Sequence, residues 1–300
     1  MPDASVAAAG PGSLVRAATA TLGAAGVPSP RTDAEILLAH VLRVERGEVR
    51  RRTVLDAPAV PADDVAAYRD LVARRARREP LQHLTGLAPF RHLELAVGPG
   101  VFVPRPETEE VAQVAIDEAA AVLAARGAVV VADLCTGTGA IALAVADEVP
   151  GAQVHAVELD AVAHGWAARN VAAQGSARDV VTLVRGDART ALGHLDGTVD
   201  VVVSNPPYVP SDAVPRDPEV ARHDPAVALY GLGPDGLEVP RGIALAARRL
   251  LRPGGLFVME HAEVQADGAR GAAAAAGLVD VVTRDDLTRR PRMVVGRAPV

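Results

Sequence analysis

The sequence predicts an α/β fold with a doubly wound, mostly parallel sheet, preceded by a small helical region. Beyond Pro106, short apolar runs alternate with segments of helical period, a pattern typical of parallel strands covered by helices on both faces. Before Leu84, apolar residues recur at steps of three and four, which is the period of amphipathic helices. A chain of 300 residues is also long enough for about two domains.

The composition excludes several classes of protein. At 49% hydrophobic and 23% charged residues the chain is globular rather than disordered, and its apolar runs are far shorter than the roughly 18 residues of a membrane span. No basic stretch follows Met1, so we expect no secretory signal. A single cysteine, Cys135, rules out a disulfide framework, and the eight histidines are not spaced as metal ligands. We therefore expect a cytoplasmic protein without a metal site.

All 31 basic residues are arginines. The absence of a lysine amine excludes Schiff-base catalysis, attachment of pyridoxal phosphate and the lysine of a P-loop. The net charge of −6 argues against a protein that coats nucleic acid.

The region before the sheet is predicted to be helical. We expect three or four short helices between Leu14 and Leu84, after a frayed tail over residues 1–12. Thr32-Asp33 and Asp63-Asp64 are expected as caps of the later helices.

A β-hairpin is expected to link this region to the sheet. Residues 90–97 alternate as a strand, Gly98-Pro99-Gly100 is a turn signal, and residues 101–103 return. The predicted organisation is a helical domain over 1–86, a hairpin linker over 87–104 and a sheet domain over 105–300. The expected strands are 128–134, 153–158, 180–184, 199–204, 255–260, 278–283 and 292–296. The expected helices are 107–126, 139–148, 161–174, 237–251 and 262–276.

A glycine-rich turn follows the first of these strands, in DLCTGTGAIA at residues 133–142. Glycines at a strand-to-helix turn let the backbone approach a ligand, and the helix N-terminus offers unpaired N–H groups, so we expect a nucleotide-like ligand here. Glu158 ends the next strand, about 20 residues further on, where it would accept hydrogen bonds from ribose hydroxyls. The turn also satisfies the G-x-G-x-x-G/A pattern of NAD enzymes, so a dehydrogenase remains open at this point.

The tetrapeptide Asn205-Pro206-Pro207-Tyr208 directly follows the predicted strand 199–204. The prolines end the strand and fix φ, and a residue before a proline is held extended, so we expect a rigid loop. The side-chain carbonyl of Asn205 and the backbone carbonyl of Pro206 can together accept both hydrogens of a planar NH₂ group. Tyr208 supplies a flat face for stacking on that group.

Such a clamp suits transfer of a methyl group from a sulfonium donor to an amide or aryl amino nitrogen. The lone pair of that nitrogen is delocalised, and two acceptors that draw its hydrogens out of plane favour the pyramidal geometry of in-line attack. We therefore expect that no side-chain base is needed before transfer.

Four other features have two interpretations each. Asp187 could reach an adenine amino group or cap the helix that follows. The arginine run over residues 74–78 could meet a nucleic acid or an acidic partner, although a solvated helix face is favoured. Cys135 is interpreted as a small turn residue rather than a nucleophile, since no histidine is close in sequence. His261 is expected to serve packing or a hydrogen bond at a strand end.

Taken together, these motifs resemble the HemK/PrmC family of S-adenosylmethionine-dependent glutamine methyltransferases, which modify peptide chain release factors. The resemblance covers roughly residues 14–300. Besides the two motifs above, it rests on PLQHLTG (80–86), FVPRPETE (102–109), HDPAVAL (223–229) with GL (236–237), LRPGG (251–255) and EHAEVQ (260–265). The RPETE segment is the specific part, because many amino methyltransferases share the NPPY loop without it.

The resemblance implies a class I methyltransferase fold, Rossmann-like with a seven-stranded, mostly parallel sheet, whose N-terminal helices help to dock the release factor. The acceptor would be the glutamine of the factor's Gly-Gly-Gln tip. The implied substrate-binding residues are Phe102, Arg105, Asn205, Pro206, Pro207 and Tyr208, of which Asn205, Pro206 and Tyr208 are the catalytic ones. The implied binding residues for S-adenosylmethionine are Asp133, Cys135, Thr136, Gly137, Thr138, Gly139, Glu158, Asp187, Ala188 and Asn205.

Two departures and two alternatives accompany this interpretation. Cys135 stands where many methyltransferases have a glycine, which adopts positive φ at lower cost, and Ala262 stands where the family often has a glycine. Methylation of an exocyclic amine on adenine or guanine would call for a basic groove or recognition domain. An NAD-linked or non-catalytic module is the other alternative, but a lysine-free chain lacks the Tyr-Lys pair of many dehydrogenases. We expect release factors as partners, no stable nucleic-acid partner, and a monomer.

Overall fold

The computed structural model describes residues 8–55, 58–175 and 177–300, which fold as two units. The first unit comprises Met1–Leu87 and, from much later in the chain, Arg216–His223. The second comprises Ala88–Pro215 and Asp224–Val300. The domain boundaries drawn from the sequence stay a prediction, and no pattern in the sequence indicated that residues 216–223 would pack with the helical unit.

The first unit is helical. Its described helices are α1 (Pro11–Ala24), α2 (Pro30–Leu42), α3 (Arg46–Val54), α4 (Ala62–Ala76) and α5 (Leu81–Thr85), joined by the later α9 (Pro218–His223). Leu22, Leu37 and Val65 are fully buried in its core, and the Tyr68 hydroxyl donates a hydrogen bond to the Ala34 carbonyl at 3.0 Å. Periodicity undercounted the helices because α3 buries only Val49 and α5 is a single turn. The tail expected over residues 1–12 is shorter, since α1 begins at Pro11, while residues 1–7 lie outside the described residues.

Two expectations about charged residues in this unit are wrong. Asp33 does not cap α2, because Pro30 occupies the first position of that helix and Asp33 is buried within it. Asp63-Asp64 likewise lies in the first turn of α4 rather than before it. Arg75 is only 4% exposed, so the arginine run is not a uniformly solvated face. Its guanidinium donates to Asp33 Oδ2 and to Glu219 Oε1, both at 2.7 Å.

A β-hairpin forms, but its strands and its turn both differ from those predicted. Its strands are β1 (Leu87–Phe90) and β2 (Leu93–Ala96), and the chain reverses at Arg91, which has a φ of 52°. Residues 98–100 are not the turn, and residues 101–103 form no strand. Instead Gly98 passes so close to Trp166 that a Cβ would lie 2.6 Å from the indole, which explains the glycine.

The second unit contains the expected seven-stranded sheet. Its strands are β3 (Val129–Leu134), β4 (Ala152–Glu158), β5 (Val181–Arg185), β6 (Val199–Ser204), β7 (Leu251–Glu260), β8 (Val279–Asp285) and β9 (Pro291–Arg297). They lie in the order β5-β4-β3-β6-β7-β9-β8. The first five in this order are parallel, and β9 runs antiparallel to both its neighbours. Each predicted strand is found, and β7 begins four residues earlier than expected.

Helices cover both faces of the sheet. They are α6 (Pro106–Arg126), α7 (Ala140–Glu148), α8 (Ala161–Ala173), α10 (Ala226–Leu229), α11 (Glu238–Leu250) and α12 (Ala266–Ala275). One face packs on apolar residues of α6 and α7, and the other on those of α11 and α12, so the central strands β3 and β6 are buried on both sides. No helix among the described residues is both long and apolar enough to cross a membrane.

The strand order fixes the place of a binding site. β3 pairs with β4 on one side and with β6 on the other, so the chain winds in opposite directions from this point. Ligands of open α/β sheets bind at the carboxyl ends of the strands at such a switch point. Leu134 is level with Ser204, and Ser204 with Met259, so the ends of β3, β6 and β7 lie side by side.

Candidate active site

The glycine turn forms at the end of β3 as expected. Gly137 and Gly139 have φ values of 58° and 84°, and a Cβ on Gly137 would meet nothing within 4 Å, so this backbone faces open space. Gly139 is the N-cap of α7, and the N-terminus of a helix favours negative groups of a ligand. Asn170, which the sequence analysis missed, donates a hydrogen bond to the Thr138 carbonyl at 2.9 Å and holds the turn against α8.

Cys135 adopts positive φ, 66°, within this turn. A residue other than glycine is strained in this conformation by about 1 kcal/mol or more. The cysteine therefore occupies this position of the turn at a higher energetic cost than a glycine would. Burial and the neighbouring carboxylates Glu158 and Asp133 raise the pKa of the thiol, which opposes a role as nucleophile.

Asp133 anchors the turn from within the sheet. It is fully buried, and its Oδ2 accepts hydrogen bonds from the Thr136 hydroxyl at 2.5 Å and the Ala142 N–H at 3.1 Å. Its Oδ1 is buried with no hydrogen-bond partner among the described residues. Burial raises the pKa of Asp133 to about 7. A buried oxygen without a partner next to an open glycine turn fits a site completed by a ligand.

Glu158 ends β4 and is 9% exposed. One oxygen accepts from the Gly137 N–H at 2.8 Å and the other from the Asp160 N–H at 2.9 Å, so the carboxylate also fixes the glycine turn. Burial raises its pKa, and the backbone N–H groups act in the opposite direction. Each oxygen retains a second lone pair for a ribose hydroxyl, and that role stays a prediction.

Asp187 and Ala188 follow β5 at the same edge of the sheet. Asp187 accepts from the backbone N–H of Arg189 at 2.9 Å and from its guanidinium at 2.6 Å, and this pairing lowers its pKa. No helix begins here, so the expected cap is instead a turn over the next residues. Ala188 is buried beneath that turn. Contact of Asp187 with adenine stays a prediction.

Residues 205–208, which we call the acceptor loop, lie at the end of β6, beside the glycine turn. Pro206 is buried, while Asn205, Pro207 and Tyr208 are partly exposed. Gln265 donates a hydrogen bond to the Tyr208 carbonyl at 2.7 Å and thereby fixes the loop from behind. Among the described residues, none donates a hydrogen bond to the Asn205 Oδ1 or to the Pro206 carbonyl, so both remain available to a ligand.

Two further residues beneath this loop were not assigned from the sequence. The Asn205 Nδ2 donates to the Thr108 hydroxyl at 3.1 Å, and that hydroxyl donates to Glu260 Oε2 at 2.7 Å. The Tyr208 hydroxyl donates to Glu260 Oε1 at 3.1 Å. Tyr208 therefore turns its hydroxyl inward rather than presenting the whole side chain outward. The position of Glu260 at the end of a strand beside β6 was the signal that could have found it.

Phe102 and Arg105 are brought together before α6. The Arg105 guanidinium lies 4.8 Å from the centre of the Phe102 ring, and it donates to Asp224 Oδ2 at 2.7 Å. The Asp224 side chain is nearly fully buried, so this ion pair connects the start of α6 to the segment before α10. Lining of the entrance by Phe102 and Arg105 stays a prediction.

His261 is fully buried at the end of β7. Its backbone N–H donates a hydrogen bond to the Arg292 carbonyl at 2.9 Å, in the role expected at a strand end. The described residues contain no cluster of His, Cys, Asp or Glu that could hold a metal ion.

Known families match both halves of the chain. A model described as the PrmC N-terminal domain matches residues 13–86, and one described as the methyltransferase small domain matches residues 105–219. The release factor glutamine methyltransferase of Streptomyces coelicolor is 51% identical, and the match covers 94% of this chain and 96% of the relative. The chain belongs to the release factor glutamine methyltransferase family.

A further relative and a solved structure complete the comparison. The 4-amino-L-phenylalanine/4-methylamino-L-phenylalanine methyltransferase of Streptomyces pristinaespiralis is 40% identical, with 83% of this chain and 82% of the relative covered. The crystal structure of a methyltransferase from Pyrococcus furiosus aligns with a TM-score of 0.52 at 21% identity, covering 76% of this chain and 99% of that one. The predicted class I methyltransferase fold is confirmed.

Membership of the release factor glutamine methyltransferase family implies S-adenosylmethionine as the cofactor, and the residues at the end of β3 fit it. The open backbone at Gly137, the N-terminus of α7 and the buried Oδ1 of Asp133 provide groups for a polar, charged ligand. The acidic residue at the end of the next strand, Glu158, is of the type that binds ribose hydroxyls.

Proposed function

We propose that this chain transfers a methyl group from S-adenosylmethionine to the side-chain amide nitrogen of the glutamine in the Gly-Gly-Gln tip of peptide chain release factors. The observation that carries the proposal is the orientation of Asn205. Its NH₂ is engaged by Thr108, which leaves its carbonyl oxygen to accept an N–H from the substrate amide. The Pro206 carbonyl supplies the second acceptor one residue on.

Catalysis on this interpretation is positioning. Asn205 and Pro206 hold the two hydrogens of the acceptor amide, and Tyr208 packs on its plane. The two acceptors bind more tightly when the nitrogen becomes pyramidal, so they stabilise the transition state more than the bound substrate. Pro206 and Pro207 keep the clamp rigid before the substrate arrives, so that little conformational entropy is lost during the reaction.

The cofactor, when bound, supplies an electrophilic methyl group on a sulfonium. The residues proposed to hold it at the ends of β3, β4 and β5 are Asp133, Cys135, Thr136, Gly137, Thr138, Gly139, Glu158, Asp187 and Ala188, with Asn205 adjoining them. The carboxylate of Glu158 accepts from the Gly137 N–H of the glycine turn and is proposed to accept from the ribose hydroxyls of the ligand as well. The proposal thus assigns donor and acceptor to adjacent strand ends, as in-line transfer requires.

The helical unit is proposed to dock the release factor. We further propose that the enzyme acts as a monomer in the cytoplasm, with the factor as its protein substrate and without a stable nucleic-acid partner. Phe102 and Arg105 would contact the substrate loop at the entrance.

Mass spectrometry of a release factor incubated with the enzyme and labelled S-adenosylmethionine tests the function. We expect one methyl group on the tip glutamine and none on a factor whose tip glutamine is replaced by alanine. Free 4-amino-L-phenylalanine is the second acceptor, chosen because a relative acts on it by name. Methylation of that amino acid but not of the factor would assign the clamp to an aryl amine, and methylation of neither would overturn the proposal.

A further inference from the structure

A primary amide can present either its NH₂ or its carbonyl oxygen, and the clamp works only with the carbonyl of Asn205 turned toward the substrate. The two orientations differ by a rotation that keeps the shape of the side chain. A contact within the protein must therefore favour one orientation of the Asn205 amide, since water can form hydrogen bonds with either.

The Thr108 hydroxyl favours one orientation of the Asn205 amide because it has only one hydrogen to donate. Its hydroxyl has one hydrogen, which it donates to Glu260 Oε2 at 2.7 Å, so toward Asn205 it can only accept. Only the NH₂ of Asn205 can satisfy that lone pair, at 3.1 Å. With Thr108 only 4% exposed, no solvent competes for the contact.

Glu260 in turn fixes the direction in which Thr108 donates. It is 2% exposed, and its two oxygens accept from two hydroxyls, those of Thr108 and Tyr208. A carboxylate has no hydrogen to give, so both hydroxyls must point toward it. Burial raises the pKa of Glu260, whereas the bond from Thr108 and the positive charge of Arg292 favour its charged form.

The fold brings the three elements together at one point. Glu260 ends β7, whose Met259 is level with Ser204, the residue before Asn205. Thr108 lies in the first turn of α6, where it is the threonine of the RPETE segment. Both residues are buried, Thr108 at 4% and Glu260 at 2% exposed, and they contact the loop through Asn205 and Tyr208.

We propose that Thr108 and Glu260 are positioning residues that set the orientation of the Asn205 amide, and so determine that the acceptor site binds an N–H donor. This inference rests on the proposed function for the identity of the substrate. Asn205 donates to Thr108, and Thr108 donates to Glu260. The order of donors is fixed because the last group, a carboxylate, can only accept. The RPETE segment then contributes to the acceptor site through its threonine.

Paired substitutions at Thr108 test the role in turnover. Thr108→Val keeps the shape and removes the hydroxyl, and we expect kcat to fall about 10- to 100-fold, because a misplaced catalytic group can cost on the order of 10². Thr108→Ser restores the hydroxyl and should recover most of the activity. The affinity for S-adenosylmethionine, measured by calorimetry, should be unchanged in both. An equal loss in kcat and in donor affinity would point to a general disturbance and overturn the proposal.

A double variant separates action through Asn205 from independent action. In an Asn205→Ala background the hydroxyl has no amide to orient, so adding Thr108→Val should change kcat little further. Losses that multiply would contradict the proposal. Glu260→Gln provides a second route, because its NH₂ can donate to Thr108 and free that hydroxyl to donate to the Asn205 carbonyl. We expect it to lower kcat to a similar extent with donor affinity retained.

The amide itself can be observed without any methyl acceptor. The chain has only two asparagines, Asn170 and Asn205, so selective ¹⁵N-asparagine labelling gives two side-chain NH₂ signals, assigned with Asn205→Ala. Thr108→Val should shift the Asn205 pair and speed its exchange with water, while the Asn170 pair stays in place. An unshifted Asn205 pair would overturn the inference even if the enzyme methylates release factors. Failure of the wild type to methylate the factor would instead count against the proposed function alone.

Discussion

At the scale of the residue, the site depends on a few polar groups whose partners are fixed before a ligand binds. Asn205 has its NH₂ engaged and its carbonyl oxygen available, while Glu158 has both oxygens engaged by backbone N–H groups. We therefore expect the first to act mainly on the substrate, and the second to act on both the ligand and the loop. Substitutions at these two residues should differ in the step that they affect.

Asn205→Ala removes one of the two acceptors proposed for the substrate amide and keeps the nine other residues that are proposed to hold the donor. We expect kcat to fall about 10²–10³-fold, the scale on which loss of one preorganised hydrogen-bonding group acts. Steady-state kinetics on the release factor measure kcat, and calorimetry checks that S-adenosylmethionine still binds as in the wild type. A change in KM alone would mean that Asn205 binds the ground state and transition state equally.

Glu158→Ala should weaken binding of S-adenosylmethionine at least tenfold, since hydrogen bonds to a charged group contribute roughly 1.5–3 kcal/mol each. Because Glu158 also holds the Gly137 N–H, the variant is compared with Glu158→Gln, which retains an acceptor for that N–H. Calorimetry should place the glutamine variant between the alanine variant and the wild type. Unchanged affinity in Glu158→Ala would show that the carboxylate does not contact the donor.

Tyr208 combines a ring for packing with a hydroxyl bound to Glu260. Tyr208→Phe keeps the ring, so we expect a modest loss of kcat, together with some loss of stability because a buried carboxylate oxygen loses its partner. Tyr208→Ala should be severe in kcat. If Tyr208→Phe alone abolished turnover, the hydroxyl would have to take part in proton transfer, and a mechanism without a side-chain base would be wrong.

At the scale of the element, buried ion pairs hold α9 within the helical unit. Arg75 on α4 lies between Asp33 on α2 and Glu219 on α9, and Arg78 also donates to Glu219, at 2.9 Å. The side chain of Arg75 is 5% exposed, so solvent does little to screen these charges. The short helix α9 buries no residue of its own, and it is therefore held mainly by this contact.

Arg75→Ala leaves the buried carboxylate of Asp33 without its cation and leaves Glu219 with Arg78 alone, and removal of one partner of a buried pair costs about 3–5 kcal/mol. We expect that loss in the free energy of unfolding, measured by urea denaturation followed by circular dichroism. The control is Arg77→Ala, which removes the same charge from an exposed position two residues away and should change stability by no more than about 0.5 kcal/mol. Equal costs for the two variants would contradict the role assigned to Arg75.

In the whole molecule, the residues proposed to bind the methyl donor and the methyl acceptor all belong to the second unit. The segment Arg216–His223 leaves that unit and packs within the first. The segment departs a few residues after Tyr208 and returns at Asp224, the partner of Arg105. The two units are therefore connected at three points along the chain, one before the sheet and two beyond the acceptor loop.

Deletion of residues 1–84 tests this division of roles. Binding of S-adenosylmethionine, measured by calorimetry, should be largely retained, because none of its proposed ligands lies in the deleted part. Methylation of the whole release factor should collapse, because the proposed docking surface is lost and residues 216–223 no longer have their partners. Normal methylation of the full-length factor by the truncated chain would show that the helices do not dock it.

Local sequence patterns predict the sheet and the two loops that are proposed to carry the chemistry. Continuous apolar runs located the central strands β3 and β6, because a strand buried on both faces needs apolar residues throughout. Glycines at the end of β3 and prolines at the end of β6 are likewise local signals, because each restricts the backbone dihedrals of its own segment. Such features depend on neighbours in sequence, and sequence therefore predicts them.

The side chains that support those loops could be identified only from the tertiary structure, because they come from distant parts of the sequence. Thr108 lies 97 positions from Asn205 and 152 positions from Glu260, so nothing in the local sequence shows that these three side chains meet. Arg75 reads as one more exposed arginine until Glu219 is seen to pack against it. The turn at Arg91 in place of Gly98-Pro99-Gly100 has the same origin, since contact with Trp166 overrides the local turn signal. Long-range packing chooses among the conformations that local sequence permits, and it is settled only when the distant elements meet.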